Sequence, residues 1–423
     1  MIHNDKLRCI DAKPWRSGVT ACLIVALCGC AGPDVPALTA SEPGFQQSPE
    51  EKKLVARAAA IDRDLDEKGM LLDDSAMRAY VSRIGHALVP PSAAGQVSFN
   101  FHILRSPVVN AFALPNGSIY LTVGLLDRLE NEAELAQVLA HEIAHVVLRH
   151  GLKVSESNRS SIVAAHIADL FLFGTSLAYL PYLASVASYS REQEEEADRF
   201  GLAAVAANGY SPQAALQLFD SMKVVKKGES LEGSWYSSHP SNPERRDALQ
   251  DMLRTGKVTQ HLPARAVADY RAMRAPIATE NIRLKLHARQ YELALDAANR
   301  NQADAPQSAL MRFYTGEAYR RMAEDPAGAA REHAWIYGKT YNDKLTAEFE
   351  QKRREFFDAA EAAYRHALDL EKSMPAAQRG LGLVQLGRGE YAAAREKLAA
   401  YLAHNPAAQD RDYIANLLKG IEQ

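Results

Sequence analysis

The sequence predicts a mainly helical α+β protein, with a small sheet in its N-terminal half and an all-α solenoid in its C-terminal half. Two β-prone segments flank a turn near residue 116, and two helical patterns follow near residues 140 and 195. From about residue 262 the chain is rich in alanine and carries recurring helix signatures. The two predicted folded parts are therefore residues 51–255 and 262–423.

Composition narrows the class of protein. The chain has 423 residues, 47% of them hydrophobic, which is enough to bury two substantial cores. Its 49 basic and 52 acidic residues give a net charge of −3. The composition therefore predicts no nucleic-acid-binding surface.

The first thirty residues have the pattern of a bacterial lipoprotein signal. A short apolar core over residues 19–28 follows several basic residues and is too short to span a bilayer as an ordinary helix. Residues 27–30 resemble a lipobox, in which small Gly29 precedes the acceptor Cys30. We expect residues 1–29 to be the signal peptide and Cys30 to carry lipid. All four cysteines lie at or before that position, which excludes a disulfide in the mature chain: Cys9, Cys22, Cys28 and Cys30.

Residues 30–50 are rich in Pro and Ser and are predicted to be a flexible tether. Ala31 follows the lipidated position, where Asp would indicate inner-membrane retention by resemblance to known lipoprotein sorting. The prediction is an outer-membrane lipoprotein that faces the periplasm.

A β-hairpin is predicted over Asn110–Leu114 and Ser118–Thr122, on either side of a Pro–Asn–Gly turn. Its exposed edge could pair with the backbone of an extended peptide by strand addition. The alternative is a buried hairpin with a purely structural role.

His141, Glu142 and His145 form the most informative motif of the chain. Residues four apart lie on one face of a helix, so the two imidazoles can reach one metal ion. Glu142 lies beside the first histidine, where it can take a proton from a water molecule at the metal. Asn131 is a predicted N-cap for this helix. The alternative is an amphipathic helix with two surface histidines.

A second helix, which opens at Ser190, offers a third ligand. Glu194 and Asp198 are four residues apart and share a face. Glu194 can therefore ligate the metal, while Asp198 accepts the other ring N–H of a ligating histidine. Glu195 and Glu196 are predicted to lie on a solvated face.

These segments resemble the zinc metallopeptidases of the HtpX and CAAX-prenyl-protease type, and among them the periplasmic BepA- and LoiP-like subgroup. The resemblance covers roughly residues 50–255 and rests on three segments in the family's order: 110–124, 141–145 and 190–198. It implies a zincin-type protease domain with one Zn²⁺ per chain, held by His141, His145 and Glu194, and Glu142 as general base. It also implies that one strand of the hairpin binds substrate: Asn110, Ala111, Phe112 and Ala113.

His239 precedes a proline in a predicted loop, where a histidine is usually a polar surface residue. The resemblance implies an additional zinc contact here, which would occupy the position of water and hold the enzyme latent. Arg245 or Arg246 could instead hold substrate or a transition-state oxyanion, and the sequence does not choose between them.

Residues 162–188 are apolar over a length that could indicate a membrane span. His166, Asp169, Gly174 and Pro181 interrupt the stretch, and a charged residue within a membrane is costly. We expect a helical insert that covers the active site and could touch the membrane surface. A buried core segment is the alternative.

The C-terminal half resembles tetratricopeptide repeats, with the repeat spacing over residues 375–406. Residues 314–319 resemble a first repeat helix and residues 363–367 a second, so residues 324–354 between them are predicted to be an insertion. Stacked repeats present a concave surface, which predicts a protein-binding domain. A helical bundle that only stabilises the first part is the alternative.

Together these features predict a lipid-anchored zinc endopeptidase that degrades misfolded or stalled outer-membrane proteins in the periplasm. The resemblance implies that such precursors are its polypeptide substrates and that the repeats bind their assembly complex. The rival interpretation is a repeat-based chaperone or scaffold with a latent protease site, although a scaffold has no need of a general base. Purely structural zinc is a weaker alternative, because such sites are usually closed by four side chains and rich in cysteine.

Overall fold

The computed structural model describes residues 35–38, 47–157, 189–222, 239, 243–255 and 264–421. The predicted signal peptide, Cys30 and the apolar stretch 162–188 lie outside these residues. By its contacts the chain divides into residues 1–34 and a second unit of residues 35–423. Among the helices of the described residues, none is both long and apolar enough to cross a membrane.

The described part of the N-terminal half combines helices with a three-stranded sheet. Its helices are α1 (Pro49–Glu67), α2 (Ser75–Leu88), α3 (Pro91–Ala94), α4 (Val123–Arg128), α5 (Glu132–Val147), α6 (His150–Ser157), α7 (Arg191–Ala207), α8 (Ala214–Ser221) and α9 (Pro243–Thr255). Its strands are β1 (Asn100–Leu104), β2 (Ala111–Ala113) and β3 (Ser118–Thr122).

The described part of the C-terminal half is helical. Its elements are α10 (Ala264–His287), α11 (Tyr291–Asp304), α12 (Ala309–Glu324), α13 (Pro326–Tyr337), α14 (Asp343–Gln351), α15 (Arg353–Leu370), α16 (Pro375–Gly387), α17 (Tyr391–His404) and α18 (Arg411–Ile421). A mainly helical protein with a small sheet, as predicted, is therefore confirmed.

The sheet has the strand order β1–β3–β2. Strand β1 pairs with β3 in parallel, and β2 pairs with β3 antiparallel, with Ala111 opposite Leu121. This β2–β3 pair is the predicted hairpin. Gly117 supplies its turn at a φ of +91°, and a Cβ there would lie 2.4 Å from the backbone oxygen of Ser98, so glycine is required.

Helix α5 forms the centre of the N-terminal half. Asn131 caps it by accepting a hydrogen bond from the backbone N–H of Glu134 at 3.0 Å, as predicted. Every residue of α5 is buried, because α2, α7, α8 and β2 pack around it. Helix α7 begins with a capping box between Ser190 and Gln193, and it approaches α5 closely where Gly201 lies near the backbone of His141.

Part of the predicted tether is packed against this core. The backbone N–H of Leu38 donates to the Val147 carbonyl at 2.8 Å, and its side chain is 2% exposed. Arg149 donates to the Pro36 carbonyl at 3.1 Å. The structure thus differs from a flexible tether at residues 36–38, because an apolar side chain there enters the core.

Neighbouring helices of the C-terminal half pack on one another: α11 on α12, α12 on α15, α15 on α16, and α16 on α17. Helices α13 and α14, which pack together, lie within the predicted insertion at residues 324–354 and separate α12 from α15 in sequence. Tyr364 fills the space between Gly316 and Gly380, where a Cβ would lie 2.6 Å and 2.5 Å from its ring.

Helix α10 joins the two halves. Tyr270 and Ile277 belong to the hydrophobic core around α5, whereas Ile282 belongs to the core of the following helices. The carboxylate of Asp127 in α4 is fully buried and accepts hydrogen bonds from Asn281, Asn301 and Arg300 at 2.7, 2.9 and 3.0 Å. The first helix of the predicted repeat part therefore also completes the preceding core.

Candidate metal centre

The predicted ligands converge in the interior of the N-terminal half. His141 and His145 project from one face of α5, with their Nε2 atoms 3.1 Å apart. Glu194 of α7 places Oε2 3.5 Å from His141 Nε2 and Oε1 3.7 Å from His145 Nε2. His239 places Nδ1 3.2 Å from His141 Nε2 and 3.0 Å from Glu194 Oε1. All four side chains are buried.

This donor set fits a zinc ion. Four ligands arranged tetrahedrally at about 2.0–2.1 Å from zinc lie roughly 3.3 Å from one another. The five separations named above, which involve both Glu194 oxygens, range from 3.0 to 3.7 Å, and one donor atom from each of the four residues lies within 4.8 Å of the other three. Imidazole nitrogen and carboxylate oxygen are also the donors that zinc accepts. With His239, these residues would fill all four coordination positions of a tetrahedral zinc ion. Without His239, one coordination position would stay open.

Glu142, the residue predicted to be the general base, lies beside this set. It is fully buried, and its Oε1 lies 3.3 Å from Nε2 of His239. Within the described residues, neither carboxylate oxygen makes a well-formed hydrogen bond. A buried carboxylate without firm partners is costly, and such groups commonly mark a position where water, substrate or a proton is handled.

Asp198 and Arg245 contact the predicted ligands His141 and Glu194. Asp198, the predicted partner of a ligating histidine, places Oδ1 3.1 Å from Nδ1 of His141. Arg245 donates two hydrogen bonds to Asp198, at 2.8 and 2.9 Å, and its Nη1 lies 2.9 Å from Glu194 Oε2. The Arg245 guanidinium is therefore engaged by these carboxylates, which disfavours the alternative that it holds an oxyanion.

The buried carboxylates of the pocket shift the pKa values of the histidines beside them. Burial lowers the pKa of His145 well below its usual value, and the charge of His141 adds to this effect. Burial also disfavours a charged His239, but the carboxylates of Glu194 and Glu142 outweigh it and raise the pKa of His239 to about 10. The carboxylates of Glu194 and Glu142 thus favour positive charge at this point, whether it is a proton on His239 or a bound metal ion.

Two further side chains lie against His145, and the sequence interpretation identified neither. Nδ1 of His150 is 2.9 Å from Nδ1 of His145, and the ring of Tyr189 stacks on His145 at 3.8 Å between centroids. Glu196 Oε2 lies 3.0 Å from Nε2 of His150, although the Glu196 side chain, predicted to lie on a solvated face, is still 41% exposed. Glu195 Oε2 lies 3.8 Å from Nη1 of Arg199, whose side chain is exposed.

The predicted substrate strand lies at an edge of the sheet. Asn110 directs its backbone to β3, since its carbonyl accepts from the N–H of Thr122 at 3.0 Å. Backbone groups alternate along a strand, so those of Ala111 and Ala113 are directed to the opposite side. Both alanines are buried.

Comparison with known proteins agrees with this geometry. Residues 75–253 match the model of peptidase family M48. The matched segment contains the four-residue set and Glu142. The match and the set together support a metallopeptidase of the M48 type.

Several relatives are similar over part of their length. The chain is 32% identical to the mitochondrial metalloendopeptidase OMA1 of Schizosaccharomyces pombe, over 42% of this chain and 54% of that protein. It is 29% identical to the putative beta-barrel assembly-enhancing protease of Vibrio cholerae, over 59% and 56% of the two chains. For the beta-barrel assembly-enhancing protease of Escherichia coli, the identity is 26% over 60% and 58%. The alignments thus span little more than half of each relative.

Proposed function

We propose that this chain is a zinc-dependent endopeptidase of the bacterial periplasm that degrades misfolded or stalled outer-membrane proteins. The convergence of His141, His145 and Glu194 beside a buried Glu142 is the observation that carries the proposal. The relatives named for β-barrel assembly suggest the class of substrate. The lipobox at residues 27–30 suggests attachment at Cys30 to the outer membrane.

His141, His145 and Glu194 would hold the zinc ion, which when bound supplies Lewis acidity to a water molecule and to the scissile carbonyl. Glu142 takes the proton from the attacking water and delivers it to the leaving amine. Asp198 keeps His141 in the required tautomer by accepting from Nδ1. An extended polypeptide would pair with the edge strand Ala111–Ala113 through main-chain hydrogen bonds to the outward groups of Ala111 and Ala113.

His239 would act as a latch. Its Nδ1 completes a four-ligand set, and its Nε2 lies 3.3 Å from Glu142, so it contacts both the metal ligands and the base. In that position it would exclude the attacking water and keep the enzyme latent until His239 moves away.

The substrate class is tested with an unfolded outer-membrane β-barrel protein and with the same protein folded in detergent. We expect the wild-type chain with zinc to cleave the unfolded form and to spare the folded one, because only the unfolded form exposes strand edges. Equal cleavage of both forms, or of neither while casein is cleaved, would contradict this substrate class.

The rival function is a scaffold for barrel assembly, and the four-ligand closure by His239 is the observation that favours it. The packed helices α10–α18 would then bind the assembly complex. Rescue of barrel assembly in cells by Glu142→Gln separates the two functions. A scaffold tolerates the loss of the base, whereas a protease does not.

A further inference from the structure

The second histidine of the motif has an unusual partner. His145 turns Nε2 towards the other ligands, and its Nδ1 lies 2.9 Å from Nδ1 of His150, a residue that is fully buried. On the other side of that ring, Nε2 of His150 lies 3.0 Å from Glu196 Oε2. Lys153 Nζ lies 3.6 Å from the same oxygen. A chain of imidazole, imidazole and carboxylate therefore leads away from the centre.

The contact between His145 and His150 depends on a change of backbone direction after α5. Residues five apart on a continuous helix do not face one another. Arg149 adopts a φ of +56°, which L-residues rarely adopt, and ends α5 so that His150 returns to His145. Glu51 holds the Arg149 guanidinium with two hydrogen bonds, at 3.0 and 2.6 Å.

The tautomers follow from the metal-ligand role. When Nε2 of a neutral His145 faces a metal, its single ring proton is on Nδ1. Nδ1 of His150 must then be the acceptor, which leaves the ring proton of His150 on Nε2. That proton is directed at Glu196. In this one arrangement, each ring N–H in the series His145, His150 and Glu196 donates to an acceptor.

We propose that His150, oriented by Glu196, is a positioning residue that fixes His145 as a zinc ligand. The proposal rests on the proposed function only for the metal, since it requires zinc at this centre but no cleavage. It parallels the contact between Asp198 and His141 and differs from it in using an imidazole between the ligand and the carboxylate. Loss of the acceptor would leave the buried N–H of His145 unpaired and its ring free to turn.

The test compares two nearly isosteric replacements in the full chain, His150→Asn and His150→Leu. The Asn carbonyl oxygen can occupy the position of Nδ1 and accept from His145, whereas Leu fills the same space without an acceptor. Glu196→Gln probes the outer carboxylate, and Glu195→Gln is its matched control on the neighbouring position. The measurement is the Kd for zinc, by competition with a chelating indicator, on protein shown to be folded by circular dichroism.

We expect His150→Leu to weaken zinc binding by about 10- to 100-fold, the effect typical of losing an outer hydrogen bond to a ligand. His150→Asn should recover most of that loss, Glu196→Gln should show a smaller loss, and Glu195→Gln none. Equal weakening by Leu and Asn, or no weakening by either, overturns the proposal. Wild-type protein that binds zinc without cleaving would contradict the proposed function and leave this comparison valid.

Discussion

At the scale of single residues, the proposed latch assigns to His239 the choice between an open and a closed centre. Its ring contacts His141 and Glu194 through Nδ1 and approaches Glu142 through Nε2. The three remaining ligands come from α5 and α7, which pack directly on one another. Removal of the His239 ring should therefore open one coordination position and leave the other three ligands in place.

For His239→Ala we predict faster basal cleavage of casein at unchanged zinc content. The gain is roughly tenfold if the closed state holds about nine-tenths of the molecules. His287→Ala, which changes an exposed histidine, is the control. Unchanged or lost cleavage at full zinc occupancy would contradict the latch.

At the same scale, the sequence predicted the residues whose positions follow from helical spacing. His141, His145, Glu194 and Asp198 are each one turn from a partner on their own helix, so the pattern alone indicates a shared face. His150 and Glu196 could not be found in this way. Their contact depends on the left-handed turn at Arg149, a residue type that gives no signal for that conformation.

At the scale of elements, Asp127 is the main polar contact between α4 and the helices that follow. Asp127→Asn should lower the free energy of unfolding by about 1–3 kcal/mol, because it leaves buried donors of α10 and α11 without a charged acceptor. Urea unfolding measures this difference. Asp296→Asn removes a half-buried carboxylate partner of the same Arg300 and should change stability by less than about 0.5 kcal/mol. Equal effects of the two variants would contradict the role of Asp127.

Glu332 in α13 gives the C-terminal half a dependence on pH. It accepts from the backbone N–H groups of Glu292 and Leu293, and burial outweighs those bonds and raises its pKa to about 7. A folded-state pKa above the ordinary value of 4.5 means that the folded state binds more protons in this window. The stability contributed by Glu332 is therefore greatest below pH 4.5 and falls as the pH rises to about 7.

The measurement is the free energy of unfolding of wild type and Glu332→Gln between pH 4.5 and 8. The stability of the wild type relative to the variant should fall across this window, by up to about 3 kcal/mol. Glu348→Gln, at an exposed position of α14, should follow the wild type. Parallel curves for wild type and Glu332→Gln would contradict the shift.

The elements predicted best are those with local signals. The N-cap Asn131, the capping residue Ser190 and the turn at Gly117 each lie where the sequence placed a boundary. The packing of Leu38 was missed, because the Pro- and Ser-rich composition around it indicates a tether. One apolar side chain can dock such a segment when a complementary site exists elsewhere in the chain.

At the scale of the whole molecule, long-range contacts decide what composition and spacing leave open. The change in composition near residue 262 predicts a new domain, yet Tyr270 of α10 donates to the Leu126 carbonyl at 2.7 Å and lies in the core around α5. Such a contact joins residues 144 positions apart, which no local pattern indicates.

The candidate ligands likewise come from three separate segments, α5, α7 and His239. A metal that binds them only in the folded state stabilises the whole unit by mass action, by about 4 kcal/mol at a thousandfold excess over its Kd. We therefore expect a chelator to lower the melting temperature of the wild type and zinc to restore it. Glu142→Gln should behave as the wild type and Glu194→Gln should not respond. A melting temperature unaffected by removal of bound zinc would contradict this linkage.

The central claim, that Glu142 activates water at a zinc ion held by α5 and α7, is tested most directly by the rate of casein cleavage per bound zinc in wild type and Glu142→Gln. We predict equal zinc content and a rate about 10²- to 10⁴-fold lower in the variant, because only the proton acceptor has changed. Equal cleavage by the two proteins, or zinc-loaded wild type that cleaves no polypeptide, would contradict the claim.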